Sequence, residues 1–430
     1  MNHTQRSSGG DVGRWKKAGI IGATVGAAAA AVAAGVAAPR YLARRARSDK
    51  ADPYAAEPFE FPPTDHVGIV TTRDGVDLNV EAIGDEDAPL TVIFAHGYCM
   101  ESGVFYFQRK ALNEVLHPSK HHGPGTNGSR GNGHSPDAAS RRNLIAYLHE
   151  HPNAGFRAVF YDQPGHGRSG ALPDTEYSID DLAAALEDVI EAVAPEGKLM
   201  IVGHSMGGMS VFALARRRPD LFKKRVAALC LISASAGGIN ELNFGMPRVL
   251  KRVRRTALPM VQRVTGWTPQ LIDRARHLAG DIAWLITRKY GFANDDPSPA
   301  LVSEVERMNT HTPMPTVMGY VRAILDHDET AVLGTMRTWK IPTLIIVGDD
   351  DQFTPTEHAR FIAESLPHAT HVVLAQAAHV PQMEHPGEIS QRLLEIINKT
   401  VASTPPLKRG RTRKSTHRLW TPFKNPKKEF

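Results

Sequence analysis

Cysteine is scarce in this chain of 430 residues: Cys99 and Cys230 are the only two. So few thiols exclude a disulfide framework, and both sit in or beside apolar runs, where core thiols are found. No cysteine follows the apolar stretch near the N-terminus, which excludes a lipid-modified cysteine as an anchor there. Net positive charge is lacking in the middle of the chain. Residues 1–50 hold nine Lys/Arg and residues 404–430 another nine, so the net charge of +6 belongs to the two ends and the body between them is acidic. An acidic body argues against nucleic acid as a partner and leaves the tails as the electrostatic feature. The segment "PGHGRS", residues 164–169, lacks the lysine and following helix of a phosphate-binding loop and reads as a structural turn. His117, His121, His122 and His134 have no ordered carboxylates or cysteines nearby, so no metal is expected, and no motif calls for a cofactor.

Long apolar runs are also few. The uncharged segment at residues 18–38 has 21 residues, flanked by Arg14, Lys16 and Lys17 before it and Arg40, Arg44, Arg45 and Arg47 after it. That length suits one membrane-crossing helix, although only Ile20, Ile21, Val25, Val32 and Val36 are large aliphatics. A single N-terminal membrane anchor is the reading, with a cleaved secretory signal as the alternative. Basic residues on both flanks leave the orientation open. The pair Gly22 and Gly26 is what so Ala/Gly-rich a run produces by chance.

Beyond a basic N-terminal segment (1–50) and a polar, Pro-rich linker (51–64), the pattern becomes that of a folded enzyme. Residues 67–84 read as a hairpin turning at Asp74-Gly75. Unbroken apolar strands then alternate with helices: "LTVIFA" (90–95), "RAVFYD" (157–162), "LMIVGHS" (199–205), "VAALCLISAS" (226–235), "PTLIIVGDD" (342–350) and "THVVLAQ" (370–376). Strands that are apolar throughout imply a mostly parallel central sheet covered by helices on both faces, an α/β class fold. Residues 117–142 are low-complexity and read as a disordered surface insertion in a core spanning 65–235 and 338–403. The long break at 236–337 is helical in pattern and reads as a cap over the strand ends, with Met246, Met260, Met308, Met314, Met318, Trp267, Trp284 and Tyr320 available to line an apolar pocket. Residues 246–264 of that cap are basic and partly amphipathic, a face that suits anionic lipid. Residues 404–430 form a basic tail expected to be disordered and to contact membrane or nothing.

The chemistry centres on "GHSMGG", residues 203–208. Gly203 and Gly207 flank Ser205 at a strand-to-helix junction, with the helix expected over 210–218. So sharp a turn demands small neighbours and lifts a serine hydroxyl above the sheet. A serine needs a base, and the base an orienting carboxylate. Two later strands end in Asp349-Asp350-Asp351 and in Ala377-Ala378-His379, at the same sheet edge where Ser205 emerges.

Five segments in order, "FAHGY" (94–98), "YDQPGHGRS" (161–169), "GHSMGG" (203–208), "VGDDDQFTP" (347–355) and "AAHVPQMEHP" (377–386), resemble the α/β-hydrolase superfamily. The resemblance is to its serine esterases, monoacylglycerol-lipase-like enzymes and cofactor-free haloperoxidase or perhydrolase-like proteins, over about residues 67–400. It implies Ser205 as nucleophile, His379 as base and, through the pattern G-x-x-D-x-x-T-P, Asp351 as the acid with Asp350 as runner-up. No carboxylate follows "CLISAS" until Glu241, which leaves the alternative acid position empty. The same resemblance assigns the oxyanion donors to the amides of Met206 and Tyr98, with Cys99 a weaker candidate. His385 is expected at the start of the last helix, and His96 and His204 beside the site in supporting roles. A serine at the elbow implies acyl chemistry: hydrolysis of a carboxylic ester with an apolar or lipid-like acyl group. Acyl transfer, thioester hydrolysis or perhydrolysis by the same residues is the alternative, and a non-catalytic binding module the remaining one.

Overall fold

The computed structural model describes residues 63–118, 136–173, 177–238, 296–407 and short stretches at 42–43, 45–47, 52–60, 284–285, 287–293 and 420–422. The segment 18–38, the middle of the low-complexity insertion, most of the first half of the expected cap and most of the basic tail lie outside the described residues. Among the described residues no helix is long and apolar enough to cross a membrane.

Nine strands form one sheet. In chain order they are β1 (His66–Thr71), β2 (Asp77–Ile83), β3 (Leu90–Ala95), β4 (Phe156–Tyr161), β5 (Lys198–His204), β6 (Val226–Ile232), β7 (Thr343–Gly348), β8 (Thr370–Leu374) and β9 (Trp420–Pro422). Their order across the sheet is β8-β7-β6-β5-β3-β4-β2-β1-β9. The run from β4 through β3 to β8 is parallel, and β2, β1 and β9 add antiparallel strands at one edge.

Alternation along each central strand divides the core in two. Ile93, Ile201, Leu231 and Val347 face one side; Phe94, Met200, Cys230 and Ile346 face the other. Helices α3 (Ile179–Val193), α4 (Met206–Arg217), α8 (Thr330–Trp339) and α9 (Thr356–Ser365) cover the first face through Leu182, Phe212, Leu333 and Ile362. Helices α1 (Tyr106–Leu116), α2 (Ala138–Glu150) and α10 (Pro386–Ser403) cover the second through Leu112, Leu144 and Ile397. Both faces are therefore dry, which is why the strands carry no polar alternation. Both cysteines are free and buried in this core. A short helix, α5 (Pro219–Arg225), links α4 to β6, and α6 (Pro299–His311) and α7 (Met314–Leu325) precede α8 between β6 and β7. Because β4 lies on one side of β3 and β5 on the other, the direction of winding reverses between β3 and β5. In open α/β sheets that is where ligands bind, outside the carboxyl ends of the strands.

Four sequence expectations are corrected. The stretch 51–64, expected to be a free linker, is packed where it is described. Asp52 accepts the Ser298 hydroxyl (2.6 Å) and the Ala300 amide (2.9 Å) at the start of α6. Phe59 lies 5.3 Å from the Tyr106 ring of α1, whose hydroxyl donates to Glu57. Aromatic area buried against α1 holds the stretch down. Second, Ala138–Arg142 belong to α2 rather than to the insertion, because Leu144 anchors that helix in the core. Third, Trp420–Pro422 of the tail pairs antiparallel with Gly68–Val70. An edge strand has free N–H and C=O groups, and β1 would otherwise expose them. Fourth, the helix after Ser205 starts at Met206 rather than Ser210.

Candidate active site

The early start of α4 follows from the turn that precedes it. Ser205 sits at φ +52°, ψ −118°, where an L-residue is strained. A Cβ at position 207 would come within 2.2 Å of the Ala95 carbonyl oxygen, and one at 203 within 2.8 Å of Gly208 Cα. Only glycine allows β3, β5 and α4 to meet this closely. Ser205 is thereby held at the carboxyl end of β5, with its own N–H donating to Ile232 O (3.0 Å).

Two distant loops complete the cluster. Ser205 Oγ lies 2.8 Å from His379 Nε2, and His379 Nδ1 lies 3.0 Å from Asp351 Oδ2 and 3.1 Å from Oδ1. All three side chains are buried. Asp351 also accepts the amides of Phe353 and Thr354 at 2.9 Å each, and the Thr354 hydroxyl lies 2.8 Å from Oδ2. Burial alone would raise its pKa. The facing imidazole and these hydrogen bonds outweigh burial and hold the carboxyl below its ordinary range. A carboxylate only accepts, so His379 carries its proton on Nδ1 and offers Nε2 as acceptor to the serine hydroxyl. Asp349 and Asp350 are exposed, and it is Asp351 that meets His379.

The amides expected to serve an oxyanion are that of Met206, the first residue of α4, and that of Tyr98 in the loop after β3. The Cys99 amide donates to His166 Nε2 (3.2 Å) and is thus engaged, whereas no acceptor faces the Tyr98 or Met206 amide among the described residues. The Tyr98 hydroxyl donates to Val317 O of α7 (2.6 Å), which ties this loop to the helices between β6 and β7. Burial pushes the Cys99 thiol up to about 12, which keeps it protonated at neutral pH.

Three histidines brace the loops. His96 bridges Gly97 O and the Gln163 amide, at 2.8 Å each. His166 bridges Pro164 O (3.0 Å) and Cys99 N. His204 Nε2 donates to His379 O (2.8 Å), fixing the backbone of the loop that carries the imidazole. Sequence reasoning placed His96 and His204 beside the site; it gave no part to His166, which meets Cys99 across 67 residues of chain, or to Thr354, which meets Asp351 three residues before it. Burial depresses His96 to about 4, and His166 and His204 to about 3 each. In the unfolded chain these rings protonate near 6.5, so the unfolded state binds more protons below that pH. Their stabilising contribution is whole above pH 6.5 and is lost as pH falls from 6.5 toward 3. A thermal unfolding series is expected to show the melting temperature dropping steeply across that window, as stability falls by on the order of several kcal/mol in all. A flat profile would show that these rings titrate normally.

Sheet order, elbow and the Ser…Asp…His order define a class, the α/β hydrolases. The chain belongs to the alpha/beta hydrolase fold family, whose model matches residues 91–386. It is 24% identical over 261 residues to a 2-hydroxy-6-oxo-6-(2'-aminophenyl)hexa-2,4-dienoic acid hydrolase of Metapseudomonas resinovorans, covering 60% of this chain and 78% of that protein. It is 26% identical over 253 residues to a pimeloyl-[acyl-carrier protein] methyl ester esterase of Chromobacterium violaceum, covering 59% and 88%. Among solved structures, a thermophilic esterase from Thermogutta terrifontis shares the fold with a TM-score of 0.54 at 21% identity, covering 78% of this chain and 98% of that one. The protein is a hydrolase of this family.

Proposed function

We propose that the protein is a serine hydrolase that cleaves carboxylic esters through an acyl-enzyme. The observation that carries this reading is the unbroken line of hydrogen bonds from Ser205 Oγ through His379 to Asp351. In the proposed mechanism His379 Nε2 takes the hydroxyl proton as Oγ attacks the ester carbonyl, and Asp351 steadies the imidazolium that forms. The Met206 and Tyr98 amides receive the negative charge of the tetrahedral intermediate, a contribution worth ~10²–10³ in rate per donor. His379 then protonates the departing alkoxide, and water, activated by the same imidazole, releases the acid. No cofactor or metal enters this scheme.

The acyl group is proposed to be apolar. Of residues 236–337, expected to form the cap, those of α8 pack on the sheet instead; the half-exposed Val317, Met318 and Val321 of α7 follow directly on the contact between Tyr98 and that helix. Attachment to a lipid surface through residues 18–38, aided by the basic tail, belongs to the same proposal; its support is the uncharged length of that segment and its basic flanks. Deleting residues 1–50 should then abolish co-sedimentation with anionic vesicles.

The test of the catalytic reading is reaction of the full chain with a fluorophosphonate probe, followed by peptide mapping, alongside turnover of p-nitrophenyl esters of increasing chain length. Labelling at Ser205 with preference for longer acyl chains is expected. Absence of labelling together with absence of turnover would end the proposal.

A further inference from the structure

Glu384 lies outside the line of hydrogen bonds just described, on the single helical turn Pro381–Glu384 that follows the histidine loop. Its carboxylate is half-buried, and each oxygen has a separate task. Oε2 accepts the Ala378 amide at 2.7 Å, one residue before His379. Oε1 accepts the Ala293 amide at 2.8 Å, from the segment 287–293 between β6 and α6. A further bond, Val380 N–H to Gly291 O (3.3 Å), runs parallel to it. The segment so attached carries Tyr290, whose ring stands 6.1 Å from Phe353, and Phe353 in turn stands 5.0 Å from the His379 ring.

We propose that Glu384 is a positioning residue, which clamps the loop bearing the base and fastens residues 287–293, with the aromatic wall beside the imidazole, to that loop. The proposal rests on the Ser205–His379 reading above. The loop 376–380 has little freedom elsewhere. A Cβ at Gly348 would lie 2.1 Å from Ala377 O, so β7 presses on it from beneath. His204 and His385 hold its carbonyls at His379 and Gln376. Asp349 stands 3.3 Å from the Ala377 amide. Glu384 supplies the grip that also reaches a second segment, and only a carboxylate offers two acceptor oxygens to two opposed N–H donors.

Charge makes this grip depend on pH. Burial pushes the carboxyl up to about 7, against the two amide bonds and the neighbouring His385, while Asp351 across the loop adds to the rise. The other charged or titratable groups on the packed elements are His379 in the loop, Asp349 and Asp350 at the end of β7, Arg288, Lys289 and Tyr290 on the attached segment, Arg109 and Lys110 on α1, and Glu388 at the start of α10. Above pH 7 both oxygens accept. Below it, one oxygen carries a proton and faces an N–H, so one of the two grips is lost. Glu384→Gln places an amide N–H₂ in that position at every pH.

The experiment compares wild type and Glu384→Gln in p-nitrophenyl ester hydrolysis from pH 5 to 9, with fluorophosphonate labelling rates measured in parallel. Wild type is expected to lose about tenfold more kcat/KM than the variant as pH falls through 7, because only wild type has Glu384 to protonate. The variant should be about tenfold slower at pH 8, the scale on which sub-ångström misplacement acts, and should meet the wild type at pH 5. Circular dichroism confirms that the variant folds. If it does not fold, Glu384→Asp, whose side chain is one methylene too short to reach both amides, takes its place: wild-type rates in that variant overturn the clamp. A folded variant with wild-type rates and profile overturns it as well. A wild type that neither labels nor turns over ester would refute the catalytic reading instead, so the two failures are distinct.

Discussion

Replacing Ser205 with alanine is expected to reduce ester turnover by roughly 10⁴–10⁶-fold in kcat, the scale on which removal of a lone serine nucleophile acts. The fold should be untouched. Among the described residues Ser205 Oγ has one partner, His379 Nε2, and the elbow is shaped by backbone and glycine rather than by the hydroxyl. Alanine inherits the unfavourable φ of +52° and so should melt near the wild-type temperature. Glycine at the same position separates strain from chemistry. It relieves a strain of ~1–3 kcal/mol and gives back ~0.5–1 kcal/mol in chain entropy, so Ser205→Gly should be as inactive as the alanine variant yet more stable by about 1 kcal/mol. Turnover assays and thermal melts of the two variants check both statements. Retained turnover in the alanine variant would mean that the chemistry resides elsewhere.

Much of this arrangement could be read from short stretches of sequence, and the reason is geometric. The elbow requires glycine at 203 and 207 because the clashes a side chain would cause involve backbone of immediately adjacent elements. Strands buried on both faces announce themselves by continuous apolar runs. The choice among Asp349, Asp350 and Asp351 was less legible: three identical side chains in a row differ only in which one the turn points inward, and the sequence preferred Asp351 through a family resemblance. In the structure that carboxylate is gathered by the Phe353 and Thr354 amides, which wrap around it two and three residues on. What escaped altogether depends on contacts between remote segments. Asp52 meets α6 across 246 residues of chain and Glu384 meets Ala293 across 91. The pairing of Trp420–Pro422 with β1 is equally silent, because three residues have no period to read. Pro422 at the outermost strand fits a place where a missing N–H costs nothing.

Asp351, the proposed acid, yields the sharpest expected change in mechanism from the smallest change in atoms. Asp351→Asn keeps size and shape. The Phe353 and Thr354 amides both donate to Oδ1, so the asparagine carbonyl oxygen must stay there, and the new N–H₂ takes the place of Oδ2. That group then points at His379 Nδ1, where a carboxylate oxygen stood at 3.0 Å. Two donors cannot face each other, so the imidazole shifts its proton to Nε2 and presents a donor to the serine instead of an acceptor. The base is disabled without being removed, and kcat should fall by roughly 10³–10⁴-fold. KM should move little, since no group that contacts the substrate has changed. Asp350→Asn, one residue earlier and exposed, is the control and should behave as wild type. Proton NMR supplies the independent readout: the far-downfield resonance of the His379 Nδ1 proton should be present in wild type and in Asp350→Asn and absent in Asp351→Asn. If Asp351→Asn kept its activity and Asp350→Asn lost it, the carboxylate would have been assigned to the wrong residue.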